Sequence, residues 1–263
     1  MRSLIKNIWK ARILRAFFFV AILTGCTTLE SRIDTKTDIV QQNALQQKII
    51  QSSPYPLFAI DNRKAHTGNV TNIYIEGDGY SWYNRTTVSK NPTPLDPVAL
   101  HLMTKADNTA IYLARPCQYI TGDYCDSSLW SDDRFSPEVI QSYMSALDTI
   151  KRQEGANKIN LVGYSGGAYI ALILSALRDD IQTVTTYAGL LDPPAWTRHH
   201  GVAPLNLTYD THWLLRESLS VSFVHYCGTQ DDIIPCSLNE GAIRQWNNHK
   251  LYRLKANHSN IGM

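Results

Sequence analysis

Much is missing from this 263-residue sequence, and each absence narrows the possibilities. No apolar run reaches the roughly 20 residues needed to cross a bilayer core; the longest candidate, Ala16 to Leu23, is far shorter. No repeat is present, which excludes solenoids and propellers. No cluster of basic residues stands out beyond the N-terminus, and the formal net charge is only +2, so there is no electrostatic footprint for nucleic acid. Cysteine is scarce, at five, and its spacing is not that of a zinc site. The His199-His200 pair lacks a third ligand at useful spacing. Neither a metal nor a cofactor is implied. With 44% hydrophobic residues, the chain can bury the core of one α/β domain.

The N-terminus has the order of an export signal. Arg2, Lys6, Lys10, Arg12 and Arg15 precede the short apolar run, which closes in Leu23-Thr24-Gly25-Cys26. That ending resembles the lipobox of bacterial lipoproteins, in which the cysteine is lipidated and becomes the first residue of the mature chain. A plain secretory signal and an internally packed N-terminal helix are the competing readings. Thr27 follows the cysteine where an inner-membrane retention signal would place Asp, so the resemblance to Gram-negative lipoproteins implies a lipid-anchored protein at the outer membrane, on its periplasmic side. The division that follows is a signal peptide over 1–25, a lipidated Cys26 and tether over 26–53, and a folded domain over 54–263. The tether is rich in Gln, Thr, Ser and Asn, although Ile39 to Ile50 could form an amphipathic helix. Setting Cys26 aside leaves Cys117 with Cys125 and Cys227 with Cys236 as close pairs. Of the three possible connectivities the local one is expected in an oxidising compartment, with four buried thiols as the alternative.

From Pro54 onward, short apolar runs alternate with longer periodic segments, the signature of a mainly parallel sheet flanked by helices. Strands are expected over Phe58–Ile60, Val70–Ile75, Ala110–Leu113, Ile159–Val162, Ile181–Tyr187, Ser220–Tyr226 and Leu251–Leu254. Ser136-Pro137-Glu138 opens a helix to about Arg152, with Ser as N-cap and Pro at the first position. Further helices are expected from Ser165 to Leu177 and from Ser237 to Trp246. Residues 189–219, with paired prolines and two tryptophans, read as an excursion over one end of the sheet.

Chemistry concentrates where the strand Ile159–Val162 runs into Gly163-Tyr164-Ser165-Gly166-Gly167 and then into a helix. A G-x-S-x-G between strand and helix is a nucleophile elbow. The turn strains the serine backbone, and residues 163 and 167 must be small to avoid the neighbouring strand and helix. Ser165 then projects at the sheet edge, with the Gly166 N–H and the helix N-terminus facing an oxyanion. Serine needs a base and an orienting carboxylate, in the chain order Ser, acid, His. Gly228-Thr-Gln-Asp231-Asp232-Ile-Ile-Pro235 follows a strand, and its spacing resembles the acid loop of the α/β-hydrolases. That resemblance puts the acid at Asp231, with Asp232 as the alternative. A bridge between Cys227 and Cys236 would clamp this loop. Lys255-Ala-Asn-His258 follows the last strand, where the fold delivers its histidine; His249 precedes that strand.

The sequence therefore resembles the α/β-hydrolase superfamily from about Pro54 to His258. Glu76-Gly77-Asp78-Gly79-Tyr80 looks like the family's His-Gly loop with Glu76 in place of His, which implies Gly79 or Tyr80 as the second oxyanion donor. Ala114-Arg-Pro-Cys117-Gln-Tyr and Leu191-Asp-Pro-Pro-Ala-Trp196 are similar to segments of lipoprotein hydrolases of that superfamily. The implied activity is hydrolysis of a small-molecule acyl ester through Ser165, Asp231 and His258. A peptidase or amidase is the alternative, as is a non-catalytic binding lipoprotein. Tyr112, Tyr119, Tyr124 and Trp130 read as wall and core, and Trp196 and Trp213 as wall, lid or packing residues.

Overall fold

The computed structural model describes residues 28–64 and 69–262. The signal segment and Cys26 lie outside the described residues. Among those described, no helix is long and apolar enough to cross a membrane.

Among the described residues, eight strands form one sheet: β1 (Gln46–Ile50), β2 (Leu57–Asp61), β3 (Val70–Ile75), β6 (Ala110–Leu113), β7 (Lys158–Tyr164), β8 (Ile181–Tyr187), β9 (Ser222–Gly228) and β10 (His249–Leu254). A small separate hairpin consists of β4 (Trp82–Asn84) and β5 (Thr87–Val88). The sheet order is β1-β2-β6-β3-β7-β8-β9-β10. The β1–β2 and β2–β6 pairs are antiparallel and every other pair is parallel. Every residue of β6 is buried, as a strand covered on both faces requires, whereas β10 at the edge is half-buried to exposed throughout.

Helices cover both faces, with separate apolar clusters above and below. The helix α3 (Pro137–Glu154) starts as its sequence dictates. Ser136 accepts from the Val139 N–H, Pro137 occupies the first turn, and Gly155 ends the helix at φ 66°. The helix α4 (Gly166–Leu177) is almost wholly apolar because it is enclosed on nearly all sides, packing on β7, β8, α3 and α6 (Thr211–Glu217). Residues 189–219 carry α5 (Pro193–His200) and α6, each capped by an aspartate, Asp192 and Asp210. The last helix, α7 (Cys236–Ile243), stops short of Trp246, whose N–H makes a turn bond to the Ile243 carbonyl. A further helix, α2 (Val98–Thr104), is one that apolar periodicity missed; it is only seven residues long.

The reading of 26–53 as a tether needs correction. Residues 29–50 belong to the folded body, as α1 (Leu29–Gln42) and the edge strand β1, and the suggested helix over 39–50 is divided between the two. The reason is chemical. Ile39 and Val40 supply a small apolar contact, but α1 is also held by buried cations. Arg32 Nη1 donates to the carbonyls of Thr93 at 2.6 Å and Asn91 at 3.1 Å, and its guanidinium lies 5.0 Å from the Tyr80 ring centroid. Lys36 Nζ donates to Gln47 Oε1 at 2.6 Å and lies 5.3 Å from the Phe58 ring centroid. A count of apolar residues does not register attachment of this kind.

Both local disulfides are present, Cys117–Cys125 and Cys227–Cys236, with S–S distances of 2.06 and 2.05 Å. The first ties the loop after β6, and the second ties the end of β9 to the start of α7.

Candidate active site

The turn from β7 into α4 is tight. A Cβ at Gly163 would lie 2.5 Å from the Ala168 Cα, and one at Gly167 would lie 2.4 Å from the Ile75 carbonyl oxygen, so neither position admits a side chain without moving backbone. Ser165 between them sits at φ 50° and ψ −121°, a region costly for any residue but glycine. Surrounding bonds hold it there: its N–H donates to the Tyr187 carbonyl, and its own carbonyl accepts from Ala168 and Leu190.

Three side chains from distant parts of the chain meet at this turn. His258 Nε2 lies 3.0 Å from Ser165 Oγ, and His258 Nδ1 lies 2.8 Å from Asp231 Oδ2. Asp231 Oδ1 accepts from the N–H groups of Ile233 at 2.9 Å and Ile234 at 2.8 Å, so the carboxylate is fixed on both oxygens. Asp231 is buried, whereas Asp232 is exposed and takes no part. Tyr164, the variable residue of the elbow, donates its hydroxyl to the His258 carbonyl at 3.2 Å and so steadies the loop that carries the imidazole. His249 lies elsewhere, half-buried and 2.9 Å from the buried His225, which in turn meets Thr186.

The loop after β3 is the second wall. Glu76 is fully enclosed, and burial pushes its carboxyl up to about 8, although the bonds it accepts from Gly77 and Ala99 oppose this. It thus links the loop to the start of α2. The expectation of Tyr80 as an oxyanion donor fails, because its N–H already donates to the Pro92 carbonyl at 3.0 Å. Gly79, at φ 67°, faces the same carbonyl: a Cβ there would lie 2.1 Å from Pro92 O, so this glycine permits loop closure. The residue that abuts Ser165 is Gly77, where a Cβ would be 3.0 Å from the Ser165 Cβ. Its N–H turns back to Glu76 Oε1 at 2.8 Å. The next two amides, those of Asp78 and Gly79, have no partner among the described residues, and neither has that of Gly166.

A cavity of about 500 Å³ opens over these groups. Ser165, His258, Asp78, Arg134, Leu190 and Trp196 are among its lining residues. Trp196 is held there by its indole N–H, which donates to the Ile233 carbonyl at 2.7 Å. Trp213 stacks instead on Tyr209 and packs with the core. A depression of about 650 Å³ near Tyr55, Ser128 and Leu205 shares no lining residue with this cavity. Arg115 and Arg134 were not singled out from the sequence as site residues. Each looks like an ordinary surface cation, and only the fold brings them to Asp78, at 2.7 and 3.1 Å. His199 and His200 pack edge to face, and His200 Nε2 reaches the Ile233 carbonyl. Among the described residues, no three His, Cys, Asp or Glu side chains are grouped as metal ligands would be.

Against solved structures, this arrangement of sheet and helices matches serine hydrolases. The fold is that of the α/β-hydrolases. An α/β serine hydrolase homologue from Coxiella burnetii superposes with a TM-score of 0.55 at 14% identity, covering 81% of this chain and 89% of its own. Est1E from Butyrivibrio proteoclasticus gives 0.57 at 12% identity, with 81% and 90% covered. An acylaminoacyl peptidase from Pyrococcus horikoshii gives 0.56 at 12% identity; 81% of this chain matches 37% of that one. No family model and no curated protein sequence matches the chain.

Proposed function

We propose that this protein is a serine hydrolase that cleaves carboxylic esters through an acyl-enzyme. The observation that carries the reading is the continuous series Ser165 Oγ, His258 Nε2, His258 Nδ1 and Asp231 Oδ2, with spacings of 3.0 and 2.8 Å, on a strained elbow beside a cavity. His258 removes the Ser165 proton as Oγ attacks the scissile carbonyl, and Asp231 stabilises the imidazolium that forms. The N–H groups of Gly166 and Asp78 stabilise the oxyanion. His258 returns the proton to the leaving alcohol, then activates a water that releases the acid and regenerates Ser165.

The test is labelling with a fluorophosphonate probe. Wild type should react and Ser165→Ala should not, with a loss of ester turnover of several orders of magnitude, about 10⁶-fold in a protease example. Equal labelling of both proteins would reject the assignment. Esters are favoured over amides because an alkoxide leaves with less assistance than an amine. The likeness to a peptidase fold keeps aminoacyl amides in the substrate screen as the competing class. A binding module without catalysis would retain full cellular function in Ser165→Ala.

We also propose that the protein is anchored by lipid on Cys26 at the periplasmic side of the outer membrane, since a lipobox-like Leu23-Thr24-Gly25-Cys26 and Thr27 follow the apolar run. Incorporation of an alkyne-palmitate analogue in cells should be abolished by Cys26→Ser. Incorporation into Cys26→Ser would refute the anchor.

A further inference from the structure

Arg134 is almost completely buried, with 5% of its side chain exposed, yet it is under-satisfied. Its Nη1 donates to the Ser131 carbonyl at 3.2 Å. Its Nε lies 3.1 Å from Asp78 Oδ2 but makes no hydrogen bond and is buried without a partner among the described residues. A guanidinium has five donors, and donors left unpaired in a buried site are costly.

The charge around it is unbalanced as well. Arg115, 3% exposed, donates Nη1 to Asp78 Oδ1 at 2.7 Å, so two buried guanidinium groups share one carboxylate. Asp132, the other acid near Arg134, is exposed to solvent, where its field is screened. Asp96 is on the cavity wall, but 46% of its side chain is exposed, so solvent screens its charge. Glu76 is deep in the fold and bonded to backbone amides.

This surplus cation faces the reaction. Arg134 lines the same cavity as Ser165, and its guanidinium lies 5.9 Å from the Trp196 ring centroid, another wall residue. Asp78 bridges it to the elbow: the Oδ1 of Asp78 is so close to Gly166 that a Cβ there would be 2.1 Å away. The guanidinium is therefore one side chain removed from the oxyanion-binding backbone. A carboxylate is the natural complement to planar donors in a low-dielectric pocket.

We propose that Arg134 determines specificity for acyl substrates that carry a second, free carboxylate a few bonds from the scissile carbonyl, so that the enzyme cleaves half-esters of dicarboxylic acids. The acyl part is the relevant one because it stays bonded to Ser165 after the alcohol has left. This inference rests on the ester-hydrolase reading above and deepens it.

The experiment compares kcat/KM for monomethyl glutarate and monomethyl adipate with that for methyl valerate and methyl hexanoate, by methanol release. Wild type should favour the anionic esters at least tenfold, and because the guanidinium is buried most of that advantage should persist in 0.5 M salt. Arg134→Gln should remove the preference mainly through KM, and Arg134→Lys should retain part of it. Equal or better turnover of the neutral esters by wild type overturns the proposal. So does an equal fall for both classes in a folded Arg134→Gln protein, which marks the arginine as structural. If that variant does not fold, the wild-type ratio of anionic to neutral esters decides. Absence of turnover on every ester together with absence of fluorophosphonate labelling fails the underlying hydrolase reading instead.

Discussion

Replacing Asp231 with asparagine tests the proposed chemistry with almost no change in shape. Asp231 Oδ1 accepts two backbone N–H groups, from Ile233 and Ile234, and Oδ2 faces His258 Nδ1. In the variant the amide oxygen must take the Oδ1 position, because an NH₂ there would confront both backbone donors. The NH₂ is then forced towards His258 Nδ1. To accept that bond, the imidazole must carry its proton on Nε2, which is the atom 3.0 Å from Ser165 Oγ, and it can no longer accept the serine proton. The same tautomeric trap in a serine protease costs about 10⁴ in kcat, near 5.5 kcal/mol at about 1.36 kcal/mol per tenfold. The assay is steady-state hydrolysis of a p-nitrophenyl ester, with circular dichroism and thermal melting to establish that the fold is kept. Asp232→Asn, an exposed change, is the paired control and should stay within about twofold of wild type. A folded Asp231→Asn protein within tenfold of wild type would refute the reasoning, and a larger loss from Asp232→Asn would move the acid to residue 232.

Three further outcomes follow from the geometry. Removing the Cys227–Cys236 bridge, which spans nine positions, should destabilise by roughly 2.5–3 kcal/mol on the loop-entropy estimate and lower the melting temperature by about 5–10 °C. Ester turnover should fall further than stability accounts for, because Asp231 rides on the closed loop; unchanged melting in Cys227→Ala/Cys236→Ala would contradict this. Gly167→Ala, with a Cβ 2.4 Å from the Ile75 carbonyl, should cost about 1–3 kcal/mol by overpacking, and a melting temperature equal to wild type would show that the elbow can relax. Stability should peak near pH 6.5. Burial and the mutual charge of the pair lower the His225 pKa from 6.5 to about 3, and burial lowers that of His249 to about 4, so their contribution is present above 6.5 and lost as pH falls towards those values. Glu76, raised from 4.5 to about 8, contributes most below 4.5 and loses it as pH rises to about 8, so the alkaline limb between 6.5 and 8 should flatten in Glu76→Gln. A limb unchanged in that variant, by thermal melting across pH, would assign it to another group.

What the sequence determined by itself was local. Ser136 with Pro137 began α3, strand runs marked the central sheet, and two close cysteine pairs closed their own loops, because each depends on neighbours a few residues away. The elbow was legible for the same reason, since a strand, a strained serine and two close-packed glycines sit within one short segment. Tertiary structure alone decided the rest. The segment 29–50 folds onto the body because Arg32 finds the Asn91 and Thr93 carbonyls and the Tyr80 ring, and Lys36 the Phe58 ring, all from outside the segment. Tyr80 lost its donor to Pro92, a contact fixed by how the loop closes. Arg115 and Arg134 met at Asp78 from loops 37 and 56 residues away, and no periodicity in the text encodes that meeting. Burial and charge balance are properties of where chain segments converge, so they become readable only once the sheet has brought those segments together.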